Sequence, residues 1–186
     1  ILTPYHAGPM GVSQINQMME HWLEQLGRKP FGQLHYHGRP ILITENDHPL
    51  RLSNGDLGIC VSTRHYDAGA DTDTTERFVV IFREKDSVRT VPTSALPQHE
   101  TSFAMSIHKS QGSEFDAVTL LLPSRESEQA DQLLTRELLY TAVTRAKQSL
   151  AIFADISAWE RSLDHPVARR STLSEQLNQL TSESLG

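Results

Sequence analysis

The chain has 186 residues, 38% of them hydrophobic, with 17 Lys+Arg against 23 Asp+Glu and a formal net charge of −6. That length holds one domain with a proper core, or one domain carrying a small inserted module. No apolar run approaches the roughly 20 residues of a membrane span, the acidic excess argues against a protein that coats nucleic acid nonspecifically, and a single cysteine, Cys60, leaves no internal disulfide and fits a reducing cytoplasm.

Residues 1–5 read as a short buried strand, so the chain is expected to be part of a longer protein, and residues 8–11 read as a turn. Ile15, Met18, Met19, Trp22, Leu23 and Leu26 recur at spacings of three and four. The spacing predicts a helix over 12–26 with one apolar stripe and with Trp22 in the core, stopped by Gly27. From 31 to 98 the period changes. Short β-rich runs at 40–44, 57–63, 77–83 and 87–92 alternate with turn residues, among them a tight turn at 54–56 and a polar hairpin tip at 67–75. This stretch is expected to form a small β-barrel, with Cys60 as a small buried hydrophobe. His35 and His37 alternate as on a strand but lack further ligands, so no metal site is expected.

After residue 99 an α/β rhythm returns. Strands are expected at 102–107, 117–122 and 150–153, a loop and short helix through 111–115, a polar loop over 124–131 and a helix over 135–147. The tail reads as helical, with Thr172 and Glu175 as a capping box. The expected organisation is one α/β unit made of residues 1–30 and 99–186, split by an insert at 31–98.

Two stretches carry chemistry. In the first, a strand leads into Ser106, His108, Lys109, Gln111, Gly112 and Glu114. Ligands of open α/β sheets bind at the carboxyl ends of strands. Gly112 lets a backbone approach a phosphate or base, Glu114 suits a ribose hydroxyl, and His108 and Lys109 suit a nucleic acid. On spacing alone, a strand-to-helix turn with solvated polar groups is the favoured account of these residues. In the second stretch, Arg145 sits among small and apolar residues of an expected helix, and a guanidinium there needs an anionic partner. An internal carboxylate such as Glu137 or Asp116 and an external phosphate both satisfy that need.

The two stretches together, "AMSIHKSQGSEFDAVTLLLP" over 104–123 and "TRELLYTAVTRAKQSLAIFA" over 135–154, closely resemble motifs V and VI of superfamily 1 helicases, in the form of the RecD family. "RPILITENDHPLRLSNGDLGIC" over 39–60 resembles the RecD segment leading into motif V. The resemblance implies a RecA-like parallel-sheet motor domain with an inserted SH3-like β-barrel. It implies an ATP-driven translocase moving 5′ to 3′ on single-stranded DNA, within an exonuclease V (RecBCD-like) complex that processes double-strand breaks in the cytoplasm, with other subunits as partners and no membrane. Gln111, Gly112 and Glu114 would then belong to the nucleotide site, Arg145 would meet the γ-phosphate, and Ser106, His108 and Lys109 would lie near the DNA. ATP and Mg2+ would be held mainly by an N-terminal motor domain, because this sequence holds neither a G-x-x-x-x-G-K-[ST] phosphate loop nor a Walker B Asp-Glu pair. The chain by itself is therefore expected to be inactive. Pif1-like and conjugative-relaxase helicases share these motifs. The rival readings from other classes are a nucleic-acid-binding module that works through the barrel, and a subunit-docking scaffold.

Overall fold

The structure, a computed structural model, describes residues 1–63, 77–84, 87–122 and 134–166. The hairpin tip expected at 67–75, the polar loop at 124–131 and the capping box at Thr172 and Glu175 lie outside the described residues. In chain order the elements are β1 (Leu2–Thr3), α1 (Val12–Gln25), β2 (Pro40–Ile43), β3 (Leu57–Ser62), β4 (Phe78–Arg83), β5 (Val88–Pro92), a 3-10 turn (Thr93–Ala95), β6 (His99–Thr101), β7 (Met105–Ser106), β8 (Phe115–Leu122), α2 (Arg136–Val143), β9 (Ala146–Ala154) and α3 (Ile156–Asp164). None of the described helices is long and apolar enough to cross a membrane.

The strands form two sheets. One is parallel throughout, in the order β7-β1-β8-β9, with Leu2 opposite both Met105 and Leu120 and with Phe115 opposite Ala146. The other is antiparallel, in the order β5-β4-β3-β2-β6. Among the described residues its edge strands β5 and β6 do not pair with each other. β2 is the wall between the two cores. Successive strand residues point to opposite sides: Ile41 and Ile43 enter the core of the antiparallel sheet with Cys60, Val80, Phe82 and Val91, while Leu42 joins Leu2, Ile107, Leu120 and Leu139 on the other side. Gly58 permits this packing, since a Cβ there would stand 2.5 Å from Val80 Cγ1. Cys60 is fully buried, as expected, and burial pushes its thiol up to about 11.

Several elements depart from the sequence expectation, each for a local reason. α1 stops where expected: Gly27 is left-handed at φ 66°, and the Arg28 and Lys29 amides bond back to Leu23 O. Its stripe, however, is only partly engaged. Val12 and Ile15 are buried, but Met18, Trp22 and Leu26, four residues apart, are 63%, 52% and 53% exposed, so Trp22 is not core. The strand expected at 102–107 divides, because Ser102 donates its amide to Pro40 O and keeps residues 99–101 paired to β2. β6 therefore carries the antiparallel sheet beyond the boundary expected at 98. No helix forms at 111–115, where Gly112 takes φ 84° and Phe115 already begins β8. The helix expected to reach 147 ends at Val143. Thr141 and Thr144 hydroxyls donate to the Glu137 and Tyr140 carbonyls, competing with the helical ladder, and the chain then pairs with β8 from Ala146 onward.

A side chain secures the junction of α1 with β7. Asn16, buried on α1, donates through Nδ2 to Ala104 O at 3.1 Å and accepts the Ala104 amide at Oδ1 at 2.8 Å.

Candidate functional site

Arg145 sits in the turn between α2 and β9, directly before the first residue of β9. Its backbone carbonyl accepts the Phe115 amide at 2.8 Å, which locks the start of β9 to the start of β8. Its guanidinium is half-buried and held by oxygens that carry no charge: Nε donates to Thr141 O at 3.1 Å, Nη1 to Ser113 O at 3.1 Å and Nη2 to Thr144 Oγ1 at 3.2 Å. Among the described residues no carboxylate pairs with it, and neither Glu137 nor Asp116 fills that role. Among the described residues the cation is thus oriented but not neutralised by a carboxylate, and it retains its attraction for an anion.

The loop that meets Arg145 is built by short turns. Ser110 is fully buried, its hydroxyl donating to Ile107 O at 2.7 Å and its amide bonding Ser106 O and Ile107 O. The Ser113 amide then reaches Ser110 O at 3.0 Å. Gly112 supplies the left-handed residue at the bend and has open space around its Cα. Gln111, Gly112 and Glu114 are exposed, and Glu114 Oε2 lies 3.5 Å from Lys147 Nζ. Gly112, Glu114 and Arg145 therefore come together around the Ser113 carbonyl.

Their position corrects the expectation of a site at the carboxyl ends of strands. Residues 111–114 precede β8 and Arg145 precedes β9, so the cluster lies at the amino ends of these parallel strands, not at the carboxyl ends. α2 ends at Val143, so Arg145 stands at the start of β9 and not within a helix.

Ser106, His108 and Lys109 belong to the other end of the loop, at the carboxyl end of β7. Ser106 Oγ accepts the Lys109 amide at 3.2 Å, His108 is exposed, and Lys109 Nζ donates to Glu100 Oε1 on β6 at 2.8 Å. His35 and His37 do not act together: His35 packs 6.0 Å from the His99 ring, while His37 Nδ1 accepts the Ser62 amide at 3.4 Å.

Sequence reasoning missed Thr141, Ser113 and Thr144, which aim the Arg145 side chain, and Glu100. Thr141 and Ser113 act through backbone carbonyls, which every residue type presents, so their side chains gave no signal. Glu100 had no local signal.

Residues 101–153, which span β7, the loop, α2 and nearly all of β9, match the family described as the UvrD-like helicase C-terminal domain. The RecBCD enzyme subunit RecD of Mycolicibacterium smegmatis is 38% identical over 177 residues, which is 95% of this chain and 29% of that protein. The chain belongs to the RecD family. The RecD subunit of Haemophilus influenzae is 40% identical, over 78% of this chain and 19% of its own length. The chain thus spans less than a third of these relatives and corresponds to their C-terminal part. A more distant relative, 26% identical over 86% of this chain and 20% of its own length, is the ATP-dependent RecD2 DNA helicase of Deinococcus radiodurans. Among solved structures, the Pif1 helicase of Candida albicans superposes with a TM-score of 0.52 at 15% identity, covering 96% of this chain and 50% of that chain, a likeness of fold.

Proposed function

We propose that this RecD-family chain is the second, RecA-like half of an ATP-driven motor that moves 5′ to 3′ along single-stranded DNA, in the cytoplasm, within a RecBCD-like complex acting on double-strand breaks. Gln111, Gly112, Glu114 and Arg145 complete a nucleotide site whose main contacts with ATP and Mg2+ come from an N-terminal motor domain, and Ser106, His108 and Lys109 face the DNA. The five-stranded antiparallel sheet stands for the family's SH3-like insert. Alone, the chain does not hydrolyse ATP, because neither a phosphate loop nor a Walker B pair is present in its sequence.

The observation that carries this proposal is the guanidinium of Arg145, paired with no carboxylate among the described residues and held by the Thr141 and Ser113 carbonyls beside an exposed glycine bend. Those residues fit a polyanionic group: a fixed cation, a loop without a side chain at Gly112, and a carboxylate at Glu114 for a sugar hydroxyl. When bound, ATP supplies the free energy of the cycle. Arg145 offers positive charge where negative charge develops, an effect worth roughly 10³–10⁵ in rate for such arginines. Thr141 and Ser113 hold its fork in one orientation, and the Phe115–Arg145 backbone bond couples that orientation to the sheet.

The test is Arg145→Ala in the full-length protein, with DNA-stimulated ATP hydrolysis and thermal melting measured together. The proposal expects hydrolysis to fall by about three orders of magnitude or more, with the melting temperature nearly unchanged. A large drop in melting temperature with hydrolysis retained would assign Arg145 a purely structural role.

A further inference from the structure

Among the described residues, one ion pair joins the loop after β7 to the antiparallel sheet: Lys109 with Glu100, 2.8 Å apart, their side chains 33% and 32% exposed. The two partners are anchored very differently. Glu100 is the middle residue of β6, registered against Leu42 of β2. Its neighbours on the strand are both occupied. His99 packs on His35, and the Thr101 hydroxyl donates to Glu20 Oε1 at 2.8 Å and accepts from Arg39 Nε at 3.0 Å. The carboxylate is therefore presented from a fixed strand. Lys109 sits at a bend, on a long flexible stem, one residue from the fully buried Ser110.

A lysine in this state is a cation whose field is largely cancelled. A phosphate approaching Lys109 must displace the carboxylate and remain beside it, with unfavourable like charge at close range. Half-exposed ion pairs of this kind are weak enough to be exchanged. Resting on the assignment of Lys109 to the DNA path, we propose that Glu100 is a built-in competitor for the phosphate backbone. Lys109 passes from Glu100 to a DNA phosphate when a single strand binds. Glu100 is thereby a positioning residue that lowers affinity for single strands.

The experiment measures binding of a fluorescent oligo-dT strand to the full-length protein, without nucleotide, across a salt series. The variants are Glu100→Gln, Lys109→Ala and the double variant, each checked by thermal melting. The expected result is that Glu100→Gln tightens binding about 2- to 5-fold at low salt and steepens the plot of log affinity against log salt by up to about 0.7. Lys109→Ala weakens binding, and Glu100→Gln adds nothing in its presence. Glu100→Asp, one methylene shorter, serves as the second variant and is expected to fall between wild type and Glu100→Gln. If Lys109→Ala weakens binding but Glu100→Gln leaves it unchanged or weaker, competition by Glu100 is overturned while Lys109 stays on the DNA path. If Glu100→Gln tightens binding equally with and without Lys109, Glu100 acts as a general repulsive charge and the exchange is overturned. If Lys109→Ala has no effect, the DNA assignment itself fails, and the inference with it.

Discussion

Replacing Asn16 by alanine is the most direct probe of how the segment leading into β7 is held in place. The side chain bridges to both polar groups of Ala104, a residue only 2% exposed, and Asn16 itself is 8% exposed. Truncation removes both partners at once and leaves a buried amide and a buried carbonyl unpaired, each costing about 1–3 kcal/mol. Water entering the vacated space recovers part of this, so the net loss is about 2–4 kcal/mol. At about 2–4 °C of melting temperature per kcal/mol for a chain of this size, the fall is about 4–16 °C. Asn16→Leu restores volume but neither bond and is expected to be no better, which separates lost hydrogen bonds from lost packing. Urea unfolding read by tryptophan fluorescence gives the free energies, and amide exchange at Ala104 reports the site itself. A stability within about 0.5 kcal/mol of wild type, with the Ala104 amide still protected in Asn16→Ala, would refute the idea that this side chain ties α1 to β7.

Two further outcomes test the antiparallel sheet. Gly58→Ala forces a Cβ against Val80 Cγ1 at 2.5 Å and the Phe82 ring at 2.8 Å, and is expected to cost about 1–3 kcal/mol; an unchanged urea midpoint would show that β3 and β4 separate freely. Burial holds the pKa of His35 below its ordinary 6.5, with the positive charge of Arg39 and then His99 adding to the effect. Above pH 6.5 the ring is neutral in both folded and unfolded chains. As the pH falls below that value the unfolded chain takes up the proton first, so stability is lost. His35→Gln is expected to lose less stability than wild type between about pH 7.5 and about pH 5.5, and an identical pH dependence in the two proteins would rule His35 out as a cause.

What was legible in the sequence was whatever a local pattern writes directly. The apolar run Val118-Leu120-Leu122 alternates as a strand must and is buried at those three positions. Gly27 stops α1, and the two functional stretches were visible as motifs. What was not legible depended on contacts distant in sequence. Met18, Trp22 and Leu26 look like core because periodicity reports which face is apolar, not how far a neighbouring surface extends beneath it. The end of α2 was missed because Ala146 and Lys147 are good helix formers in isolation, and only pairing with β8 makes them strand. The edge on which the candidate site lies followed from the same error: with a shorter α2, Arg145 precedes β9 and joins the amino ends of the strands. Of the candidate residues, Gly112, Glu114 and Arg145 were foreseen as neighbours, whereas the carbonyl cradle of Thr141 and Ser113 needed coordinates.

The antiparallel sheet leaves the parallel one after α1 and returns at β7, and its root is closed by side chains rather than by covalent proximity: Asn16 on Ala104, and Glu20 on Thr101. A loop whose ends are pinned costs conformational entropy only as the logarithm of its length, so that doubling it adds only about 0.6 kcal/mol. The connections within that excursion can therefore lengthen or shorten at little entropic cost to the pairing of β1, β7 and β8. Asn16 and Glu20 lie one helical turn apart on α1, and together they make a socket that fixes the exit and return points of the excursion, while Leu42 of β2 remains part of the core beneath the parallel sheet.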